Sequence, residues 1–335
     1  MLRKWLLWFP LSLARWALCI VGAAALVLAA MIATPLTSPP TLRSVAETAR
    51  AVDRSTMPGL DHFAARDGTT LTYRHYPARG PAAGPVAILV HGSSGSSPSL
   101  HALADALAAH GVETFAPDIR GHGGSGTRGD IGYIGQLEDD MADLVAHVRR
   151  TNPDAPITLL GHSAGGGFAL RLASSPIQNL FARTVLLAPY LGYDAPTNRP
   201  NSGGWARADI RRFLALAVLR RIGIDCCDAL PVLAFAVPPN SEAVLVSAYS
   251  NRLTRNFATR GYKADFAATT RPVTLIAGAA DELMLSDKYA DAVHAIAPSV
   301  DVKLIEGANH MSLLSDPRAV SAIAEDVAKR GMAGT

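Results

Sequence analysis

Residues 157–165 read ITLLGHSAG: an apolar run, then a serine with glycine two positions to either side, then residues of helical spacing from Ala164 to Ala173. A serine raised on a strand-to-helix turn must adopt strained backbone angles, and the residues two positions away must be small for the turn to close. Gly161 and Gly165 meet that requirement. The five-residue pattern is weak by itself, and the strand before it with the helix after it supplies the context that gives it meaning.

The same rhythm extends outward in both directions. Upstream, Val86–Val90 (VAILV) is a continuous apolar run suited to a strand buried on both faces and is followed by helical spacing over Leu100–Ala109. Glu113–Ala116 precedes a helix over Ile134–Arg150. Downstream come Thr184–Ala188, then Val273–Ala277 before a helix over Asp287–Ala297, then Val300–Ile305 before a last helix over Pro317–Lys329. Asp61–Pro77 reads as two strands around the turn Asp67-Gly68. Alternation of this kind predicts an α/β fold with a mostly parallel sheet flanked by helices. It lapses between about Tyr193 and Thr270, where helical pieces are broken by Asn, Gly and Pro. An inserted, mainly helical cap is therefore expected over 193–270, with the core formed by 60–192 and 271–335.

A serine hydroxyl is a poor nucleophile until a base takes its proton, and that base needs a carboxylate to orient it. Asp281 stands just past the strand PVTLIAG and His310 lies in the loop GANHMS after the strand VKLIE, giving the order Ser163, Asp281, His310. Parallel strands bring these loops to one edge of the sheet. Asp287, at the start of the next helix, is the alternative carboxylate. An oxyanion hole needs N–H donors, one from the residue after the nucleophile and one from the loop after an earlier strand. Ala164 supplies the first and Ser93, in HGSSG after VAILV, the second, with Ser94 as the alternative.

On these residues the sequence resembles the α/β-hydrolase family over roughly residues 60–330: HG after the third strand, GHSAGG at the turn, and the late Asp and His. A further string, Asp118–Ser125 (DIRGHGGS), is similar to the RGHG-x-S segment of the monoacylglycerol lipase, lysophospholipase and serine-aminopeptidase-like branch, which also inserts its cap after the sixth strand. The resemblance implies hydrolysis of a carboxylic ester, small or lipid-like, without a cofactor. Thioester, peptide and carbon–carbon substrates use the same serine geometry, and a non-catalytic anchored binding module on this fold is the alternative from another class. HGSSGSS departs from the charged version common in that branch, so headgroup preference does not carry over.

The bulk composition fits this class. The chain has 335 residues, 49% apolar and 18% charged, with 3 Cys, which excludes disordered and disulfide-scaffold classes. Its net charge of +3 is matched by Arg3, Lys4 and Arg15 near the start, so no cationic surplus remains to neutralise phosphates and a nucleic-acid partner is not expected. No His, Cys and carboxylate cluster has metal-ligand spacing. His91, His122 and His162 read as structural supports. Cys226 and Cys227 read as two thiols, since a bond between adjacent cysteines is strained.

Trp16–Ala33 holds 18 residues without a charge, roughly 27 Å of helix, which approaches the thickness of a bilayer's hydrocarbon core. Trp5, Trp8 and Trp16 on its flank suit a headgroup layer, and the neighbouring cations favour a cytoplasmic N-terminus. Residues 1–34 are therefore expected to be a membrane anchor, with an uncleaved or cleaved signal as the competing reading, and the catalytic domain outside the cytoplasm. Residues 35–59, with PLTSPP at their start, are expected to be a linker. In the cap, Arg207, Arg211, Arg212, Arg220 and Arg221 bracket FLALAVL, either solvating a cap helix or resting on anionic lipid.

Overall fold

Three central strands, Val86–Val90, Arg183–Leu187 and Ile157–His162, are buried at every position, as is Val273–Gly278. Strands covered on both faces have no polar side to present, which is why these read as unbroken apolar runs. The computed structural model describes residues 2–80, 84–241 and 245–332. The expectations placed on Arg3, Lys4, Trp5 and Trp8 concern side chains outside the described set.

In chain order the strands are β1 (Asp61–Ala64), β2 (Thr70–Tyr76), β3 (Val86–Val90), β4 (Glu113–Pro117), β5 (Ile157–His162), β6 (Arg183–Leu187), β7 (Ala206–Ala208), β8 (Pro231–Phe235), β9 (Ala248–Ser250), β10 (Val273–Gly278) and β11 (Asp301–Ile305). The helices are α1 (Leu2–Ile32), α2 (Arg43–Arg50), α3 (His101–Ala109), α4 (Gln136–Val148), α5 (Ala164–Ala173), α6 (Ile210–Arg221), α7 (Asn251–Asn256), α8 (Tyr262–Ala268), α9 (Tyr289–His294) and α10 (Pro317–Met332). The main sheet has eight strands in the order β1-β2-β4-β3-β5-β6-β10-β11. Only the pairs β1–β2 and β2–β4 are antiparallel. Helix α3 packs against α10, while α5 packs on β5, β6 and α8.

The insertion between β6 and β10 contains α6, α7 and α8, and also an antiparallel sheet β7-β8-β9 that the sequence reading does not contain. These strands are short (ARA, PVLAF, AYS), so no alternation develops, and only pairing across the insertion makes them strands. The helix expected over Asp287–Ala297 is a tight turn at Ser286–Lys288 followed by the shorter α9.

Residues 35–59 also differ from a free spacer. They hold α2, whose Val45 is buried in the core, and Leu42 N–H donates to Ala236 O of the insertion. The end of α1 is fastened nearby: Arg212 Nε donates to Ile32 O at 3.0 Å and Thr34 Oγ1 to Asp209 Oδ2 at 3.0 Å, while Asp209 caps α6 by accepting the Arg212 N–H. Over Leu13–Ile32, α1 is long and apolar enough to cross a membrane, and it is exposed.

The segment DIRGHGGS is a polar knot under one end of the sheet. Asp118 accepts from Ser97 N–H at 2.8 Å, Gly124 N–H at 3.0 Å and Thr72 Oγ1 at 2.9 Å. Buried Arg120 grips Asp140 through Nε (2.8 Å) and Nη2 (2.7 Å) and reaches Thr69 and Asp67 at the β1–β2 turn. Removing one partner of such a pair strands the other in a poor solvent for charge. Arg120→Met should therefore lower unfolding free energy by about 3–5 kcal/mol, read as a drop in the urea midpoint of the full chain in neutral detergent, and a shift under about 1 kcal/mol would contradict this account.

Candidate active site

Strand β5 ends at His162 and α5 begins at Ala164, leaving Ser163 alone on the turn at φ 55°, ψ −119°. That conformation is costly for a residue with a Cβ and persists only where its surroundings over-determine it. Here they do. Ser163 N–H donates to Leu187 O at 2.9 Å, and Ser163 O accepts from Gly167 N–H at 3.1 Å and Tyr190 N–H at 2.9 Å. A Cβ on Gly161 would lie 2.2 Å from Gly165 O, and one on Gly165 would lie 2.2 Å from His91 O, so neither position can hold another residue without moving backbone.

Two loops at the same edge of the sheet face this serine. Asp281 follows β10 and His310 follows β11, and His310 Nδ1 donates to Asp281 Oδ2 at 2.7 Å, both side chains being almost wholly buried. The other carboxylate oxygen accepts the N–H groups of Leu283 and Met284, each at 2.8 Å. Burial pushes the Asp281 carboxyl up, but the facing imidazole and these two N–H groups outweigh it and leave the net shift downward, so the carboxylate stays ionised. Asp287, the alternative carboxylate, is exposed beside Lys288.

His162 packs against His310 with ring centroids 4.6 Å apart, and its Nε2 donates to His310 O at 3.1 Å. Burial, reinforced by His310, holds its pKa down to about 3, so it stays neutral and acts as a brace. The other two histidines brace the loop after β3. His91 Nε2 accepts Ile119 N–H at 3.1 Å and its Nδ1 donates to Gly92 O at 2.8 Å. His122 donates through Nδ1 to Ile119 O at 3.1 Å and accepts at Nε2 from the Tyr249 hydroxyl, which in turn accepts the Ser94 N–H at 2.7 Å. That last bond occupies the Ser94 N–H. The N–H groups of Ser93 and Ala164 have no hydrogen-bond partner among the described residues.

Ser163 and His310 open onto one cavity of about 550 Å³, whose walls include Ser93, Trp205, Leu283 and Met311. Trp205 Nε1 donates to Ser93 Oγ at 2.9 Å, tying the insertion to the loop after β3. A concavity of about 620 Å³ lies at the opposite ends of the strands around Arg183, Thr274 and Arg330. Its arginines are paired with Asp326 and Asp301, and no nucleophile–base pair stands there. The described residues hold no group of three or more His, Cys, Asp or Glu able to bind a metal, and Cys19, Cys226 and Cys227 are free thiols.

Tyr249, Trp205 and α2 enter the site without any signal in the sequence. Tyr249 is 155 positions from the Ser94 it bonds, and nothing local marks it.

An eight-stranded sheet with a serine on a strained turn after β5, and an Asp and a His on the loops after its last two strands, defines an α/β-hydrolase. The chain belongs to the family described as serine aminopeptidase, S33, whose profile matches residues 82–318. It is 36% identical over 108 residues to the Escherichia coli protein YnbC and 33% identical over 106 residues to a monoglyceride lipase homolog of Monkeypox virus. These matches cover 32% and 31% of this chain but only 18% and 38% of those relatives, so the chain spans less than half the length of either. In structure it is similar to a soluble variant of monoglyceride lipase from Saccharomyces cerevisiae, with a TM-score of 0.64 at 17% identity, covering 84% of this chain and 96% of that one. At that identity the likeness is one of fold.

The buried histidines set a pH dependence of stability. His162 binds a proton near pH 3 when folded and near about 6.5 when unfolded. Between those values only the unfolded chain takes up the proton, so stability is complete above the unfolded value and is lost as pH falls through it. From pH 7 to pH 5 this one group should cost about 2 kcal/mol, and His91, also held down by burial, acts in the same direction. Urea midpoints at the two pH values check this, and His162→Asn should flatten the slope.

Proposed function

We propose that this protein is a serine hydrolase of carboxylic esters, acting on lipid or other acyl esters. The observation that carries this reading is the 2.7 Å bond from His310 to a carboxylate held ionised, on a cavity that also exposes Ser163. Ser163 Oγ attacks the ester carbonyl carbon while His310 Nε2 takes its proton. The charge on the carbonyl oxygen is met by the N–H groups of Ser93 and Ala164, and Asp281 stabilises the imidazolium. His310 then gives the proton to the departing alcohol, leaving an acyl-enzyme. Water, deprotonated by His310, attacks that ester, and the acid leaves as Ser163 recovers its proton.

The cavity supports an acyl ester over a peptide. Val45, Ala46, Trp205, Ala236 and Leu283 offer an apolar lining, and the volume suits a ligand of lipid-fragment size. An aminopeptidase must hold an α-ammonium, and the described lining contains no carboxylate. Helix α1 serves in this reading as a membrane anchor, with the hydrolase domain outside the cytoplasm, supported by its length, its apolar exposed surface and the cations at its start.

Rates on p-nitrophenyl esters of about two to sixteen carbons, with the full chain in neutral detergent, test the reading. An optimum at medium or long chains that falls at least about 10⁴-fold in Ser163→Ala is expected, together with fluorophosphonate labelling lost in the same variant. Activity that survives Ser163→Ala would overturn it. The relay from Ser94 N–H through Tyr249 to His122 implies a second outcome. Tyr249→Phe removes the acceptor that holds this loop, so kcat should fall about tenfold with a smaller change in KM; a change confined to KM would remove Tyr249 from this role.

A further inference from the structure

The catalytic cavity is not built from the hydrolase core and insertion alone. Helix α2 and the turn after it form part of its wall, with Val45 and Ala46 facing in and two cations, Arg50 and Arg54, beside them. Val45 is buried and Leu42 is bonded to the insertion, so this wall is docked in place. Arg54 is half-buried and is positioned by neutral carbonyls, Nε donating to Pro98 O at 3.2 Å and Nη1 to Val52 O at 3.1 Å. Burial pulls its guanidinium below the ordinary value. Arg50, at the end of α2, is exposed at the mouth. The described lining adds polar serines and Asn240 but no carboxylate, so the net charge facing a bound ligand is positive.

A guanidinium presents a planar fork of donors that fits phosphate or carboxylate oxygens, and a cationic mouth with low-dielectric walls concentrates anions. We propose that Arg50 and Arg54 form an anion-recognition site on the cavity rim, so that the preferred substrate is an ester that also bears an anionic group, a phosphate or a carboxylate. This rests on the serine-esterase reading and narrows it from acyl esters in general to anionic ones. The apolar wall takes the acyl chain and the arginines take the charge. The wall belongs to residues 35–59, so substrate choice is set by the segment that joins α1 to the domain.

The test compares water-soluble esters of one acyl chain: hexanoyl glycerol, hexanoyl glycerol 3-phosphate and hexanoyl glycerate, hydrolysed by the full chain in neutral detergent. At least one anionic ester should exceed the neutral one about tenfold in kcat/KM, and which one does so separates phosphate from carboxylate. The preference should shrink with added salt. Arg50→Gln/Arg54→Gln should bring the ratio close to one, and Arg50→Gln alone, at an exposed position, should lower it without endangering the fold. Equal kcat/KM for neutral and anionic esters in the unmutated chain, or a preference that survives both substitutions, overturns the proposal.

A binding measurement separates this failure from failure of the esterase reading. Calorimetry with hexyl phosphate and hexanoate on Ser163→Ala should give binding that weakens about tenfold in Arg50→Gln/Arg54→Gln. Absence of binding, or binding indifferent to the arginines, overturns the anion site even if every ester is hydrolysed. Arginine-dependent binding without Ser163-dependent hydrolysis would instead uphold the anion site and overturn the esterase reading.

Discussion

The backbone of Gly165 lies so close to His91 that a single methyl group would collide with its carbonyl, and Gly161 stands in the same relation to Gly165. This contact between the start of α5, the end of β5 and the loop after β3 is the constraint on which the rest of the site depends. It lets Ser163 sit at φ 55°, a conformation it would abandon in a looser setting. It also fixes how near Ser93 and Ala164 can come to one another, because each follows directly from one of the elements in contact.

Around that contact the protein surrounds the site with neutral, directional hydrogen bonds in place of free charge. His91, His122 and His162 are buried, neutral and bonded, each with one ring nitrogen turned to a backbone group that sets its tautomer. Charge is confined to Asp281, which is held by two N–H groups and His310, and to the Arg120 pairs farther below. An ionised group without such partners would be costly at this depth, and one near His310 would alter the field around the imidazole.

The insertion and the segment before β1 meet over the cavity. Trp205 reaches from the insertion to Ser93, Tyr249 to Ser94, and α2 closes a side that neither covers. Arg212 links the first helix of the insertion to the end of α1, bonding Ile32 O and, through its other nitrogens, Thr34 O and Pro231 O. The apolar N-terminal helix is thus attached to the part of the molecule that roofs the cavity. A linker would leave that roof to move independently; the docked segment does not.

Much of the core was legible because its signals are local. VAILV and ITLL state burial on both faces by composition alone, the glycines around Ser163 state a close approach, and Asp281 and His310 follow strands whose parallel order carries them to one edge. The bond between Asp281 and His310, the downward hold on His162 and the occupation of Ser94 N–H by Tyr249 belong to the tertiary structure, as do the three short strands of the insertion. They join residues far apart in the chain, and no run, period or spacing encodes such pairings. The segment 35–59 shows the division most clearly. Its prolines state that the chain leaves the helix, which is a property of single residues, whereas the docking of Val45 over the cavity depends on an apolar surface that exists only once the insertion and core have packed together.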